Sequence, residues 1–393
     1  MEKSISNRFY FDYNATSPLS IKVQDFLRSG DFLFGNPSSI HQDGRSAKKR
    51  IHETSTYLFN LFQLNEKIFN LIYHSGASEG VNSFFRGLAL FGLKNKERYC
   101  FYFSKTDHAC VYNQKEFLEL LGHEVVYFNV NTKGEFDCDQ LIHEIRNKEQ
   151  NNIKTILNFT TVNNETGVVW PLNLAEKIKR ETHSIIHVDA VQMVGKIENW
   201  MQLTEQLDAY TFSGHKFGSL KGVGFTFIKK DIQPLPLITG GNQQIGLRSG
   251  TENALGIYSI KLALQDMEEK FNPTQLKQAK EYLEANISKM LLDKGEIIAY
   301  NASSRNLNTL FLLIKNISAE TISMRFDMAG VSVSTGSACS SGIIKENRIL
   351  MNMGYTSEES KSAIRISFSP LLNLDQAKDY WKIIEKILNE IIK

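Results

Sequence analysis

Apolar runs rich in β-branched and aromatic residues alternate with helix-period segments over most of the first 230 positions. Seven runs read as strands, at 68–73, 99–103, 125–130, 155–159, 185–188, 209–212 and 224–228. Several are almost unbroken in apolar residues, as expected of strands covered by helices on both faces. Between the first two, Val81, Phe84, Phe85, Leu88 and Phe91 recur at helical spacing, and Gly92 is the expected stop. This alternation predicts an α/β domain with a mostly parallel sheet. Beyond Pro234, Pro236 and the Gly240-Gly241 turn the pattern changes. Positions 252–294 read as long helices interrupted at Pro273. Strands near 309–314 and 364–367 and a helix over 374–392 complete a smaller α+β domain. The expected division is an N-terminal segment, 1–17, packing on the small domain, a large domain, 18–260, and a small C-terminal domain, 261–393.

Composition narrows the function classes. The 393 residues carry 45 Lys and Arg against 43 Asp and Glu, a formal charge of +2, without the basic stripe of a nucleic-acid binder. No apolar run reaches the roughly 18 residues of a membrane span. Positions 1–10 show neither a secretory core nor an Arg-rich amphipathic pattern, so the expected address is the cytoplasm. Cys100, Cys110, Cys138 and Cys339 form no CxxC pair, which fits reduced thiols. The nine histidines make no metal set; His183 and His187 straddle a predicted helix end and a strand, and no metal is expected.

Ligands of open α/β sheets sit at the carboxyl ends of strands, so the residues there carry the candidate chemistry. Lys216 ends the string Ser213-Gly214-His215-Lys216 after the 209–212 run, a placement suited to a Schiff base with pyridoxal phosphate. Ser75-Gly76-Ala77-Ser78-Glu79 opens a helix whose N-terminal amides suit a phosphate. Asp189 follows the 185–188 run, where a partly desolvated carboxylate needs a cation such as a protonated pyridine nitrogen. Asn163-Asn164-Glu165-Thr166-Gly167 is a turn whose amides could bond ring substituents. His108 follows 99–103, and an imidazole can both stack on a ring and move a proton. Singly, each has a plain structural reading as a solvated lysine, a helix cap, a turn or a surface histidine. Four strand ends offering complementary groups point to a cofactor site.

Taken together the strings resemble the cysteine desulfurases, group I, of the class V, fold-type I pyridoxal-phosphate enzymes. The resemblance runs from about Phe9 to Ser369. It includes Tyr10-Phe11-Asp12-Tyr13-Asn14-Ala15-Thr16, Gly35-Asn36-Pro37-Ser38-Ser39, His187-Val188-Asp189-Ala190, Ser213-Gly214-His215-Lys216 and Arg248-Ser249-Gly250-Thr251. It implies a seven-stranded sheet flanked by helices, with Lys216 bonded to the cofactor. Ala77, Ser78, Ser213 and His215 would hold the phosphate, joined by Thr251 from the second subunit of a homodimer. Asp189 would pair with the pyridine nitrogen, Gln192 and Asn164 would contact the ring oxygen, and His108 would stack on the ring. Arg365, with Asn36 assisting, would grip the carboxylate of L-cysteine. Ser78 replaces a usual threonine, and Phe217-Gly218-Ser219-Leu220 replaces a usual Tyr-Gly-Pro stretch.

The segment Ser334-Thr335-Gly336-Ser337-Ala338-Cys339-Ser340-Ser341-Gly342 selects the reaction. Its polar neighbours argue against a buried cysteine and for a nucleophile on a loop. Lowering the thiol pKa tenfold in acidity takes about 1.4 kcal/mol, within reach of a nearby imidazolium. The segment resembles the desulfurase loop whose cysteine receives sulfur, with alanine released and the sulfur passed to an acceptor for iron–sulfur cluster or other thio-cofactor synthesis. The sequence runs to Lys393, short of the tail with which housekeeping members grip a scaffold, so the acceptor is not named. The competing readings are a selenocysteine lyase, another class V lyase or aminotransferase, and a degenerate docking subunit.

Overall fold

The computed structural model describes residues 8–335 and 346–392. In chain order its strands are β1 (Phe9–Tyr10), β2 (Phe69–His74), β3 (Tyr99–Ser104), β4 (Glu124–Phe128), β5 (Lys154–Thr160) and β6 (Ile185–Asp189). They continue as β7 (Ala209–Ser213), β8 (Gly224–Lys229), β9 (Gly295–Ile297), β10 (Thr309–Ile314), β11 (Val331–Ser332) and β12 (Ala363–Ser367). All seven predicted runs of the first 230 residues enter one sheet, ordered β2-β8-β7-β6-β5-β3-β4. From β7 to β4 every pairing is parallel, and β8 alone runs antiparallel to both its neighbours. The whole of β3 and of β7 is buried, which is why these runs show no polar alternation. Helices flank the sheet, and the fold is the expected α/β one.

The second sheet is antiparallel, ordered β12-β10-β9, while β1 and β11 form a parallel two-stranded ribbon. β1, β9 and β11 are two or three residues long, too short to leave a readable period. A core of Phe11, Leu283, Leu310, Ile366 and Leu388 joins this sheet to the helices Pro273–Leu291 and Leu374–Ile391. Phe9 packs edge-on and Phe11 at a tilt against Tyr380, which brings β1 and the residue after it into contact with this core. Pro273 opens its helix, with Asn272 accepting the Gln275 N–H as cap.

Gly92 does not stop its helix, which runs Ala77–Asn95 and ends at Lys96 in a left-handed conformation (φ 58°). The glycine serves packing instead. A Cβ there would stand 2.9 Å from the Tyr99 ring and 3.0 Å from the His123 ring. Two rings pressed on one turn demand the smallest residue, and a sequence reading takes that demand for a terminator.

Candidate active site

The carboxyl ends of β3, β5, β6 and β7 meet in a cleft of about 750 Å³. Its most buried amine is Lys216. After β7, residues Gly214–Lys216 make one tight turn, and the Gly214 N–H bonds to Val223 O at 3.0 Å. The Lys216 ammonium donates to Asn14 O (2.7 Å) and Ala15 O (2.8 Å). Ser17 then ties the turn down, its N–H bonding to His215 O and its hydroxyl to Lys216 O. Burial, reinforced by the Arg365 charge and opposed by Asp12 and Asp189, lowers the Lys216 pKa to about 8. At pH 7.5 about a quarter of the amine is then uncharged, against roughly one part in a thousand for an ordinary lysine. An aldehyde reagent should therefore react at Lys216 of the cofactor-free protein at a rate that rises with pH and levels off above about 8. Stopped-flow absorbance checks this, and a rate still climbing steeply at pH 9.5 would contradict it.

Asp189 ends β6, 6 % exposed. Its carboxylate accepts the Val191 N–H at 3.1 Å and faces the cleft. Burial raises its pKa to about 6, and the Val191 bond and the Lys216 charge offset this only in part. A buried acid so weakly compensated calls for a cation in the cleft.

The helix Ala77–Asn95 starts at the cleft wall, with Gly76 as cap. Gly76 has φ +156°, and Ser213 Oγ lies 3.8 Å from where its Cβ would be. Ala77, Ser78, Ser213 and His215 line this end, and His215 Nδ1 lies 3.1 Å from Thr16 Oγ1. Glu79, in the first turn, is pushed up by burial but pulled further down by bonds from Arg248 and Ser75, to about 2. Its charge is thereby matched by Arg248 at 2.8 Å, leaving the helix N-terminus free to attract an anion.

His108 caps the helix Ala109–Tyr112 and lines the cleft, open to solvent on its cleft side. Its Nδ1 accepts the Cys110 N–H at 3.2 Å, with Cys110 Sγ 3.1 Å away. The protein around it, then the Lys216 and Arg348 charges, hold its pKa near 4. It is therefore uncharged at neutral pH and is not the imidazolium expected to acidify a thiol. Cys110 also lines the cleft, a position its sequence context left open. Burial, then Asp189 and Asp107, push its thiol pKa up, which suits a hydrogen-bonding group better than a nucleophile.

Arg365, on β12, is 4 % exposed and reaches the cleft from the second sheet. It donates to Asn164 O (3.0 Å) and to Asp12 Oδ1 (2.7 Å), while its buried Nε has no partner. Gln192 lines the cleft with both ends of its amide engaged, Nε2 on Asn14 O at 2.9 Å and Oε1 on the Lys196 ammonium. Asn164 contributes its backbone carbonyl to Asn14 and Arg365. Asn36 and Thr251 are exposed and do not line this chain's cleft; Asn36 Oδ1 accepts the Ser38 N–H. Cys339 lies outside the described residues. Ser334, shortly before it, lines the cleft and pairs with Arg365 through both backbone bonds (3.0 and 2.7 Å).

Sequence reasoning missed Asn14, which is 1 % exposed and joins Lys216, Gln192, Asn164 and Thr309. Its contribution to Lys216 is a backbone carbonyl, for which no side-chain signal exists. The arrangement fits pyridoxal phosphate on its own terms. An amine of lowered proton affinity, a buried carboxylate in need of a cation and a helix N-terminus beside hydroxyls share one cleft.

A family model described as aminotransferase class-V matches residues 9–377. The chain belongs to that family. Among class-V relatives, the cysteine desulfurase IscS of Dictyoglomus turgidum is 32% identical over 97% of this chain and 95% of its own. A cysteine desulfurase of Nostoc sp. is 31% identical over 91% of this chain and 87% of its own. Among solved structures, a NifS-like protein from Rickettsia africae superposes with a TM-score of 0.83. It is 28% identical and covers 97% of this chain and 99% of its own. The fold read from strand alternation is thus the fold of the class-V family. No helix among the described residues is long and apolar enough to cross a membrane.

Proposed function

We propose that this chain is a pyridoxal-phosphate-dependent cysteine desulfurase that moves the sulfur of L-cysteine to Cys339 and releases L-alanine. The observation that carries the reading is Lys216, its proton affinity lowered, in one cleft with the buried Asp189 carboxylate. The near full-length similarity to cysteine desulfurases supports it. Bound covalently at Lys216, the cofactor supplies an electron sink for the substrate Cα electrons. Asp189, ionised, would hold the ring nitrogen protonated and so keep that sink effective, and the helix start at Ala77 and Ser78 with Ser213 and His215 would hold the phosphate. Gln192 and Asn164 would contact the ring oxygen, and His108 would stack on the ring.

Arg365 binds the substrate carboxylate with its guanidinium, which bonds to Asn164 O and Asp12 already hold in place. That anchoring orients the guanidinium in advance, so little is lost in ordering it. Asn36, which does not line the cleft of its own chain, is given no part in that grip. Lys216, uncharged in part at neutral pH, takes the Cα proton at Nζ, and the carbonyls of Asn14 and Ala15 then receive the new N–H bonds. His108 is a second proton carrier. The Cys339 thiolate bonds to the substrate sulfur as its bond to Cβ breaks, leaving a persulfide that passes to an acceptor protein or thiol. Thr251, exposed on its own chain, completes the phosphate cup of a second copy in a homodimer.

The test is product analysis. Full-length protein loaded with pyridoxal phosphate and given L-cysteine and a thiol reductant should release alanine and sulfide one for one. Consumption of a keto acid without sulfide would instead mark an aminotransferase. Faster turnover of L-selenocysteine than of L-cysteine would mark a selenocysteine lyase.

Asp189→Asn tests the ring contact separately. Without the charge, cofactor retention should fall by about 10²-fold, the scale of losing one partner of a buried pair. Equilibrium dialysis measures it, and a change under threefold would rule out a direct pairing.

A further inference from the structure

A continuous chain of hydrogen bonds crosses the sheet beneath the cleft, on the face covered by the helix Ala77–Asn95. It links His74 Nε2 to Thr226 Oγ1 (2.9 Å), Thr226 to Thr211 Oγ1 (2.9 Å) and Thr211 to His187 Nε2 (2.8 Å). From there it runs His187 Nδ1 to Asn158 Oδ1 (2.8 Å), Asn158 Nδ2 to Thr160 Oγ1 (3.2 Å) and Thr160 to Asp107 Oδ1 (2.8 Å). Every member is buried, from 0 to 8 % exposed. The path follows the strand order β2, β8, β7, β6, β5 and ends just past β3. Room for it is kept by Gly80, where a Cβ would stand 2.5 Å from His74 Nε2 and 2.9 Å from Thr226 Oγ1.

The sense of the chain is fixed from one end. An ionised carboxylate only accepts, so Thr160 donates to Asp107. The Thr160 oxygen then accepts from the Asn158 amide nitrogen, which turns Asn158 Oδ1 toward His187 and makes His187 Nδ1 a donor. His187 is neutral, with burial holding its pKa near 3, so its Nε2 accepts from Thr211. Thr211 in turn accepts from Thr226, and Thr226 from the His74 Nε2–H. Every dipole points toward Asp107.

The Asp107 carboxylate has a second task. Its Oδ2 accepts the Ser104 N–H (2.9 Å) while its own N–H bonds to Ser104 O (3.1 Å), closing the turn immediately before His108. From the other side the Arg348 guanidinium bonds to the carbonyls of Lys105 and Asp107 and stacks on Tyr112, 4.0 Å from the ring centre. We propose that Asp107 is a positioning residue, whose ionised carboxylate terminates the one-way chain from His74 and so fixes the turn that presents His108 to the cleft.

Protonation of Asp107 breaks this arrangement. A carboxyl that must donate to Thr160 forces the chain to reverse back to His74, or leaves a buried hydroxyl unpaired. Burial, aided by Asp189 and opposed by the bonds from Thr160, Ser104 and Asn158, puts the Asp107 pKa at about 7. The other charged or titrating groups around it are Arg348, Cys110 and Tyr127, with His108 the next residue.

The test uses the full-length protein labelled with ¹⁵N-histidine, with and without pyridoxal phosphate. The His187 ring signals should show an inflection near pH 7 although that ring stays neutral. The inflection should vanish in Asp107→Asn and survive in Asp189→Asn. Thr160→Val removes a donor to the ionised form and also the link to Asn158. The inflection should therefore be lost from the His187 ring, while the one seen at the His108 ring, next to Asp107, should move upward by roughly a tenfold change in proton affinity. This second variant keeps the test decisive if Asp107→Asn does not fold. A wild type without the inflection, or a His187 inflection that survives Thr160→Val, overturns the chain. In the loaded protein the acid limb of kcat should move with the His108 inflection. An acid limb that stays put while that inflection moves overturns the positioning role of Asp107. The NMR arm needs no activity, so its outcome is separate from the desulfurase reading on which the role of His108 rests.

Discussion

Lys216→Ala should cut alanine formation from L-cysteine by at least about 10³-fold, the range that a positioned proton carrier supplies. The loss is large because one nitrogen serves twice, holding the cofactor and taking the substrate proton. No neighbour among the described residues can replace it. Lys196 is fully buried and bonded to Gln192, and Lys221, which also borders the cleft, is exposed. The alanine side chain also leaves Asn14 O and Ala15 O without the donor that Lys216 provides. Cofactor should still bind through Asp189 and the helix start, but its absorbance should be that of the free aldehyde. Added methylamine should restore the visible band and only a small part of the rate. Retention of more than a tenth of wild-type turnover would place the reaction on another amine.

Cys339→Ser should abolish sulfur transfer while leaving the cofactor spectrum unchanged. A hydroxyl is neither ionised near neutral pH nor able to hold a sulfane sulfur stably, so turnover should fall by about 10³-fold or more. Mass spectrometry should find one added sulfur on Cys339 of the wild type after L-cysteine, and on no residue of the variant. Cys110 is the informative control, since it lines the same cleft with its thiol held in the protonated form. Added sulfur on Cys110, or alanine made at an undiminished rate by Cys339→Ser, would defeat the assignment.

Much of this was legible in the chain because buried strands and strand-end residues announce themselves differently. The run containing Phe101 is apolar throughout and that containing Phe212 carries only Thr211, because helices cover both faces, and all seven such runs find places in one sheet. Asp189, directly after an apolar run, and Lys216, at the end of the short string that follows one, stand out because a charged residue at a strand end has few structural uses. Other elements carried no comparable signal. Gly92 gives no warning of its packing role, because a packing glycine and a terminating glycine are the same letter. Asn14 acts on Lys216 through its carbonyl, which every residue possesses. Asp107, Asn158 and Thr160 are ordinary polar residues until the sheet brings β3 and β5 together, and only then do they form a path. His108 was read as a candidate proton carrier, but its neutral state follows from the protein packed around it.

Asn14 also bears on how the protein is made. Besides holding Lys216, it takes a bond from its own N–H to Ser367 Oγ (3.0 Å) and one from its amide to Thr309 Oγ1 (2.8 Å). Its partners are therefore synthesised roughly 200 to 350 residues after it. At about 5–20 residues per second on a ribosome, the first segment waits on the order of 20–70 s for the last of them. The seven-stranded sheet is complete by Lys229, well before β12 emerges. The lysine pocket is consequently among the last parts to close, and the cofactor proposed for it would be captured at the end of synthesis rather than in its course.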